Sequence, residues 1–448
     1  MERIPVELVL ETLQLAGAIV SQHVLDALCK RISADRWPGL HSKKDLSEPP
    51  SAHQELDDLL HGAVKVKAAL VLVCRKWHKI FAPYLYSISY ARSTRAAEVI
   101  LKTLEVRSDL RAHIRQIIAI PSNLESWTPH FSDAIDSLVS LCPNIVRFTL
   151  LHRDISISTD EENRPLARRP LIQRTYREWN QLRHVTVSSL TWESFVAYVV
   201  AIAGSSMLQS LHIHDVSIRG LDVTEARGFL PPHRDLFSLQ ELVITNADSH
   251  CLDLLRSYRF SRLRSFTFYG GVNNLTELSL AAFLGPDFFS LEYLSLPYSA
   301  LRTQRVIFPS GSYTIRTQLK TLVLTFPFLD DATGAPKFPR IPLHRVETIR
   351  ITSKHEPPSK VLARSSFHVW LGGLCDKRRM PDLRQIRMDV VLGKFKKEEI
   401  EKVEPYLRQI ETYVRAKNVV LKVLDASGTK FETISAALDA ELLRVVWE

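Results

Sequence analysis

Nine times between Ile145 and Met388 the chain sets apolar residues at the first, fourth and sixth positions of a short segment and mostly polar residues between them. The segments are 145–150, 182–187, 208–213, 239–244, 263–268, 291–296, 319–324, 346–351 and 383–388. Leu208, Leu211 and Ile213 show the pattern, as do Leu291, Leu294 and Leu296. With 45% of the chain hydrophobic, three apolar residues at fixed offsets recur by chance at roughly one position in eleven, so the intervening residues carry the weight. The third position (Arg147, His184, Ser210, Glu241, Ser265, Tyr293, Thr321, Thr348, Gln385) is polar or amphipathic every time, and the second is polar in every copy but one, Val146. The fourth and sixth positions, two apart, have the spacing of one buried strand face.

Successive copies start 24 to 37 residues apart. A period of this size marks stacked repeats, and L-x-x-L-x-L is the strand signature of the leucine-rich repeat. Leu141-Cys142-Pro143-Asn144, just before one copy, resembles the cysteine-containing type of that repeat. Irregular spacing and missing asparagines make the array a degenerate one. Helical runs at 131–141, 192–203, 249–258 and 367–375 alternate with the strands. Thr94 to Leu104 reads as a helix and Ile114 to Ile120 as a first strand that fits the template poorly. Polar or proline-rich connections at 159–170, 220–234, 303–317 and 330–342 read as exposed loops. Near the end, Lys396 to Ala416 reads as an amphipathic helix, Val419, Leu421 and Val423 as an alternating strand, and Glu432 to Val446 as a last helix.

Bulk properties narrow the function. The start lacks the basic, apolar and small-residue order of a secretory signal, and the longest apolar stretch, Phe195 to Ala203, falls short of the roughly 20 residues a span needs. A soluble chain in the cytoplasm and/or nucleus is expected. Cys29, Cys74, Cys142, Cys251 and Cys375 are odd in number and hold no C-x-x-C pair, which suits reduced thiols. The net charge of +9 is spread thinly, so nucleic acid is not an expected partner and the charge serves solubility.

At the N-terminus Pro5 stands near a helix start, ahead of an amphipathic run through Leu8, Leu10, Leu13 and Leu15. A second helical run from Leu70 to Ser89 contains Leu72-Val73-Cys74-Arg75-Lys76-Trp77 and then Leu85-Tyr86. The I-P-x-E-L-x-L-E-x-L opening, the L-V-C-R-x-W block and the L-Y tail resemble the F-box motif of fungal proteins that carry leucine-rich repeats behind it. That resemblance implies a small helical bundle docking on the adaptor Skp1 and, through it, on a cullin ligase, while the repeats hold a protein substrate for ubiquitylation. Pro5, Leu8, Leu13, Val73 and Trp77 are the positions it assigns to Skp1 binding. Here more than fifty residues part the two halves, against a short link in the family. Ser21 to Ile32 reads as a helix, Trp37 to His53 as a proline-containing loop, and Gln54 to Ala69 as a helix. An insertion of this kind costs little stability, and it either leaves the Skp1 surface open or obstructs it.

The expected fold is thus α/β: an all-helical F-box-like domain over 1–90 with an insertion at about 16–69, a curved degenerate leucine-rich repeat solenoid over 91–425, and a helical cap over 426–448. A plain helical cap on the solenoid is the alternative for the N-terminal part. Side-chain alternation predicts that third, fifth and seventh positions line the face offered to a partner. His184, His212, His214, Glu241, Tyr269, Tyr293, Arg350 and Arg387 are the candidate substrate contacts, with a partner that is hydrogen-bonded in the centre and acidic towards the late repeats. Two histidines on one strand, His212 and His214, with Asp215 adjacent and His184 one strand away, permit a metal site, but exposed histidines facing water or a partner are the plainer reading. Cys74 and His78 lack an evident orienting group, and 15 glycines form no phosphate-binding loop. No cofactor and no catalysis are expected. A scaffold whose F-box-like cap does not bind Skp1 is the competing function, and a hydrolytic or metal enzyme a distant third.

Overall fold

The computed structural model describes residues 52–73, 85–120, 129–151, 181–191, 206–217, 234–236, 238–247, 249–256, 258–269, 290–297, 318–326, 345–353, 380–389, 411–424 and 430–431, with positions 195, 199, 283, 284, 405, 408 and 409. The chain divides into two compact units, Met1–Arg219 and Gly220–Glu448. Among the described residues no helix is long and apolar enough to cross a membrane.

The first unit carries helix α1 (Ala52–Val73), strand β1 (Ile88–Ala91), helices α2 (Thr94–Val106) and α3 (Ser108–Arg111), strand β2 (Gln116–Ala119), helix α4 (Pro129–Leu141) and strands β3 (Arg147–Leu150), β4 (His184–Thr191) and β5 (Ser210–Ser217). The five strands lie parallel in chain order. Parallel neighbours need a crossover segment, and between β1 and β2 that segment is α2. Ser93 caps α2 by accepting from the Ala96 amide at 3.2 Å, the standard answer to unpaired amides at a helix start. Arg111 closes the other end, donating to the carbonyls of Leu104 and Glu105. Ala97 and Leu104, seven residues apart, are the buried stripe of α2, which packs on β1 and α4. On α4, Phe131, Ile135 and Leu138 are fully buried at helical spacing.

The second unit holds β6 (Arg234–Asp235), β7 (Glu241–Ala247), α5 (Ser249–Leu255), β8 (Tyr258–Arg259), β9 (Ser265–Tyr269), β10 (Tyr293–Pro297), β11 (Thr321–Phe326), β12 (Thr348–Ser353), β13 (Gln385–Asp389), β14 (Val420–Leu424) and β15 (Lys430–Phe431). Here β7, β9, β10, β11, β12, β13 and β14 are parallel in that order, while β6 and β8 form a separate short pair. Helical residues 411–416 precede β14. Asn418 then takes φ 55°, the left-handed conformation that asparagine tolerates just past a helix end.

All nine sequence copies are strands, and each strand begins at the third position of its copy. Backbone hydrogen bonds explain this start. In β10 the amides of Glu292 and Tyr293, second and third in their copy, both donate to the carbonyl of Arg264 at 2.8 and 2.9 Å. The amides of Lys320 and Thr321 do the same to Glu292, and those of Arg183 and His184 to Val146. Third position therefore pairs with third position throughout each unit, as in Arg147↔His184 and Tyr293↔Thr321. Of the 27 first, fourth and sixth residues, only Met388 is not among the buried core residues, because its side chain is not described. Each such burial is worth about 1.5–3 kcal/mol, and a slip of one residue would turn the fourth and sixth positions to the other face. Phe260 and Phe266 add rings 5.6 and 5.1 Å from Phe283.

Six of the described strands lie outside the nine copies, and three of them, β1, β2 and β15, bear on the expectations from sequence. β2 follows it with a small residue at the sixth place: Ile114, Ile117 and Ala119 are all buried, and Gln116 pairs with Arg147. β1 corrects the reading of Leu70 to Ser89 as one helical run, since Ile88–Ala91 pairs with Gln116–Ala119. The alternation of Ile88 and Tyr90 with smaller residues suits a strand once a parallel neighbour is there to pair with. β15 falls within the 426–448 segment expected to be a helical cap; it runs antiparallel to β14 and pairs its otherwise open edge. The expected helices at 21–32, 367–375 and 432–446, most of the one at 396–416, and the expected loops apart from Arg234, Ala52 and His53 lie outside the described residues. Ala52 and His53, expected to end the loop from Trp37, instead open α1. Of 192–203, Phe195 and Val199 are described, both helical and buried.

A candidate binding face on the strand ladder

In a parallel ladder each residue has its counterparts on the neighbouring strands about 4.8 Å away. The face that carries third, fifth and seventh positions is therefore a set of rows, and the rows differ sharply in exposure.

In the first unit the early part of this face is largely apolar, with Gln116, Arg147 and Thr149 the polar residues of β2 and β3 on it. Ile88 and Tyr90 of β1, Ile118 and Ile120 in and after β2, and Leu151 after β3 stand at third, fifth or seventh positions, and helix α1 covers them through Leu59 and Leu60. Ile118, Ile120, Leu151 and Leu60 are at most 4% exposed. Most of α1 falls in the segment expected to be an insertion, and its Leu59 and Leu60 are packed on the sheet. The clue in the sequence is the unbroken run Ile117-Ile118-Ala119-Ile120, because a strand buried on both faces loses its alternation.

At β4 and β5 the same face turns polar. Thr186 stands beside His212 and Ser188 beside His214. His184 is in register with Ser210, one strand away from the histidine pair but one row off. The two histidines were expected to be exposed, and they are not: His212 is 8% and His214 2% exposed. Their rings meet edge-on at 6.3 Å between centroids, and Ser210 Oγ lies 3.0 Å from His212 Nε2. Alternation places both rings on this face, and packing there takes them out of solvent. A hydrogen-bonded serine and histidine are two parts of a nucleophilic arrangement, but at 6% and 8% exposure they sit within the ladder as a polar core contact. No three His, Cys, Asp or Glu side chains gather around a common point among the described residues.

In the second unit the third-position row, Glu241, Ser265, Tyr293, Thr321, Thr348 and Gln385, is half-buried. Glu241 and Tyr293 are parted by β9, so those two candidate contacts lie about two strand spacings, roughly 10 Å, apart. Tyr269 pairs with Thr245; its side chain is not described. The fifth-position row divides. Val243, Thr267, Ser295 and Val323 on β7 to β11 are at most 8% exposed, whereas Arg350 and Arg387 on β12 and β13 are half-exposed. Register sets these two arginines side by side and places Lys422 next in the same row. Lys422 was missed because β14 lacks an apolar first residue, Asn418 standing there instead.

The second-position row runs along the start of the strands and alternates in sign: Arg264, Glu292, Lys320, Glu347, Arg384. Lys320 Nζ reaches Glu292 Oε2 at 3.0 Å. Just before it, at the position preceding each copy, Ser290 Oγ donates to the carbonyls of Ser261 and Leu263, and Asn144 Nδ2 to that of Ala112 at 2.9 Å. These are repeat-to-repeat ties. The adjoining Cys142 is 3% exposed, and burial pushes its thiol up to about 11.

Of the positions assigned to Skp1, Pro5, Leu8, Leu13 and Trp77 lie outside the described residues. Val73 is the last residue of α1, and its side chain is not described.

No protein-family model and no curated protein matches the sequence. Among solved structures the chain is similar to a protein from Bacteroides fragilis, at 12% identity over 88% of this chain and 90% of that one, with a TM-score of 0.38. It is also similar to the leucine-rich repeat-containing protein LegL7 from Legionella pneumophila, at 13% identity over 76% of this chain and 93% of that one, with a TM-score of 0.33.

Proposed function

We propose that the protein is a non-catalytic binding protein whose strand ladder receives a partner protein, and that it serves in the cytoplasm or nucleus as a substrate-recognition adaptor of an SCF-type ubiquitin ligase. The observation that carries the binding reading is the half-exposed row of Glu241, Tyr293, Thr321, Thr348 and Gln385 beside Arg350 and Arg387. It sets hydroxyl, amide and charged groups at a fixed spacing on a rigid, registered sheet. Rigid presentation of polar groups favours selective recognition, since little order has to be created on binding. The ligase reading rests on the resemblance at Pro5, Leu8, Leu13, Val73 and Trp77. It is supported by α1 running helical into Val73, as the second F-box block requires. On this reading ubiquitin transfer belongs to the partner proteins, and specificity comes from what the ladder holds in place.

A pull-down of purified Skp1 by the full chain, compared with Leu8→Asp and Trp77→Ala variants verified as folded, tests the ligase reading. Capture by the wild type and loss in both variants supports it. A folded wild type that captures no Skp1 refutes it and leaves a scaffold. One observation favours that second reading: part of the segment between the two F-box halves is α1, packed on the sheet through Leu59 and Leu60, so it is not a dispensable loop. The two readings separate on deletion of residues 37–51 alone, which creates Skp1 capture if that stretch obstructs the adaptor surface.

A further inference from the structure

We infer that Arg256, Arg259, Arg262 and Arg264, on the stretch that leads from α5 through β8 to the start of β9, form a docking site for a short acidic segment of a partner protein. The site lies outside the third-position row and calls for neither Skp1 nor a ligase, so it goes beyond the reading above.

Residues 256–264 contain four arginines and no acid, and burial sorts them cleanly. Tyr258, Phe260 and Leu263 are at most 4% exposed, while all four arginines are exposed. The backbone beneath them is held at several points. The amide of Arg256 donates to the Leu252 carbonyl, that of Leu236 to Arg259, that of Leu263 to Phe260 and that of Arg264 to Gln240. Ser290 Oγ ties down the carbonyls of Ser261 and Leu263 from the next repeat. Cations on a backbone so fixed lose little order when a ligand arrives. None of the four is in an ion pair or a side-chain hydrogen bond among the described residues. Glu292, next to Arg264 in the second-position row, is engaged by Lys320 at 3.0 Å. Asp235 is the register partner of Arg259; four arginines less that one aspartate still leave three positive charges in excess.

Chemistry and extent select the ligand. Every cation in the stretch is arginine, whose planar fork pairs with a carboxylate through two parallel hydrogen bonds, as the point charge of lysine does not. Successive arginines are two or three residues apart, so their Cα atoms stand at most roughly 11 Å from one another. Long, exposed side chains at that spacing can reach neighbouring carboxylates of one short segment. The cluster is also bounded. In the second-position row Arg264 has the uncharged Gln240 on one side and the acidic Glu292 on the other, so no basic track continues along the strand starts. Nucleic acid is the weaker fit, because its affinity typically grows from about six to ten phosphate contacts. Tyr258 and Phe260, being buried, offer no ring on which a base could stack.

Fluorescence anisotropy with the full chain tests this, each variant's melting being compared with wild type. The probes are a short glutamate-rich peptide, its counterpart with glutamine in place of glutamate, and a single-stranded oligonucleotide of the same charge as the acidic peptide. The acidic peptide is expected to bind about tenfold or more tightly than the glutamine one, with affinity falling as salt rises. Arg262→Gln/Arg264→Gln and Arg256→Gln/Arg259→Gln should each weaken it about fivefold, and the quadruple variant should lose the preference. Arg115→Gln/Arg183→Gln removes as much charge from two exposed positions of the first unit and should leave binding unchanged, which separates a local site from the effect of net charge. Equal binding of the two peptides, equal losses at 256–264 and at 115 and 183, or tighter binding of the oligonucleotide lost in the same variants overturns the inference. Skp1 capture is read in a separate assay, so failure of the arginine site and failure of the ligase reading remain distinguishable.

Discussion

Replacing Ile118 by threonine tests whether α1 belongs to the sheet. The fifth positions of β3 and β4 are Thr149 and Thr186, so threonine is native to this row on the strands past β2. At β2 the same residue would lie under a helix. Ile118 is fully buried with Leu60, Ile120 and Leu151. The change removes the end of the side chain, at about 0.5–1.5 kcal/mol, and puts a hydroxyl into an apolar contact at about 1–3 kcal/mol. The sum is roughly 2–4 kcal/mol, acting on the seating of α1. Because about 1.4 kcal/mol is a factor of ten, amide exchange across residues 58–73 should quicken by about 30-fold or more. The reverse change, Thr186→Ile on a half-buried site, should alter stability by no more than about 0.5 kcal/mol. Hydrogen exchange read by mass spectrometry gives both numbers in the intact chain. Unchanged exchange over α1 in a folded Ile118→Thr variant would refute the packing argument, since no buried contact would then have been lost.

Glu347→Lys breaks the alternating row and sets cations at three successive second positions, 320, 347 and 384; the melting temperature should fall by about 2 °C at low salt, with the difference shrinking in 1 M salt. The buried thiol of Cys142, raised from its ordinary value to about 11, should resist alkylation at pH 8 in the folded protein and react once denaturant is added. Its contribution to stability is fully present below about pH 9 and is lost as pH rises from there through about 11; a steeper decline of stability in wild type than in Cys142→Ala over that window checks the sign.

Much of the repeat architecture was legible beforehand. Residues such as Leu294 and Leu296, two apart with serine between, can bury together only from one side of a strand. Three such offsets in nine copies fix both the strand and its register. β2 was legible in part, as Ile114 to Ile120 reads as a strand, but alanine in its sixth position hid its kinship with the others. β1 and β15 were not legible: four residues and two residues carry too little pattern, and only their neighbours make them strands. The charged candidates Arg350 and Arg387 were foreseen on the correct face, while the same reasoning put His212 and His214 in solvent.

The sequence alone determined which side of each strand a residue occupies, because alternation is a local property of an extended backbone. It did not determine what stands over that side. Whether Ile118 meets α1, whether two imidazoles shield each other, and whether the fifth-position row lies open at Val323 or only at Arg350 are contacts between residues remote in the chain or one strand across. In the second unit the fifth-position row is buried at Val243, Thr267, Ser295 and Val323 and half-exposed at Arg350 and Arg387, a division that alternation, being local to each strand, does not carry.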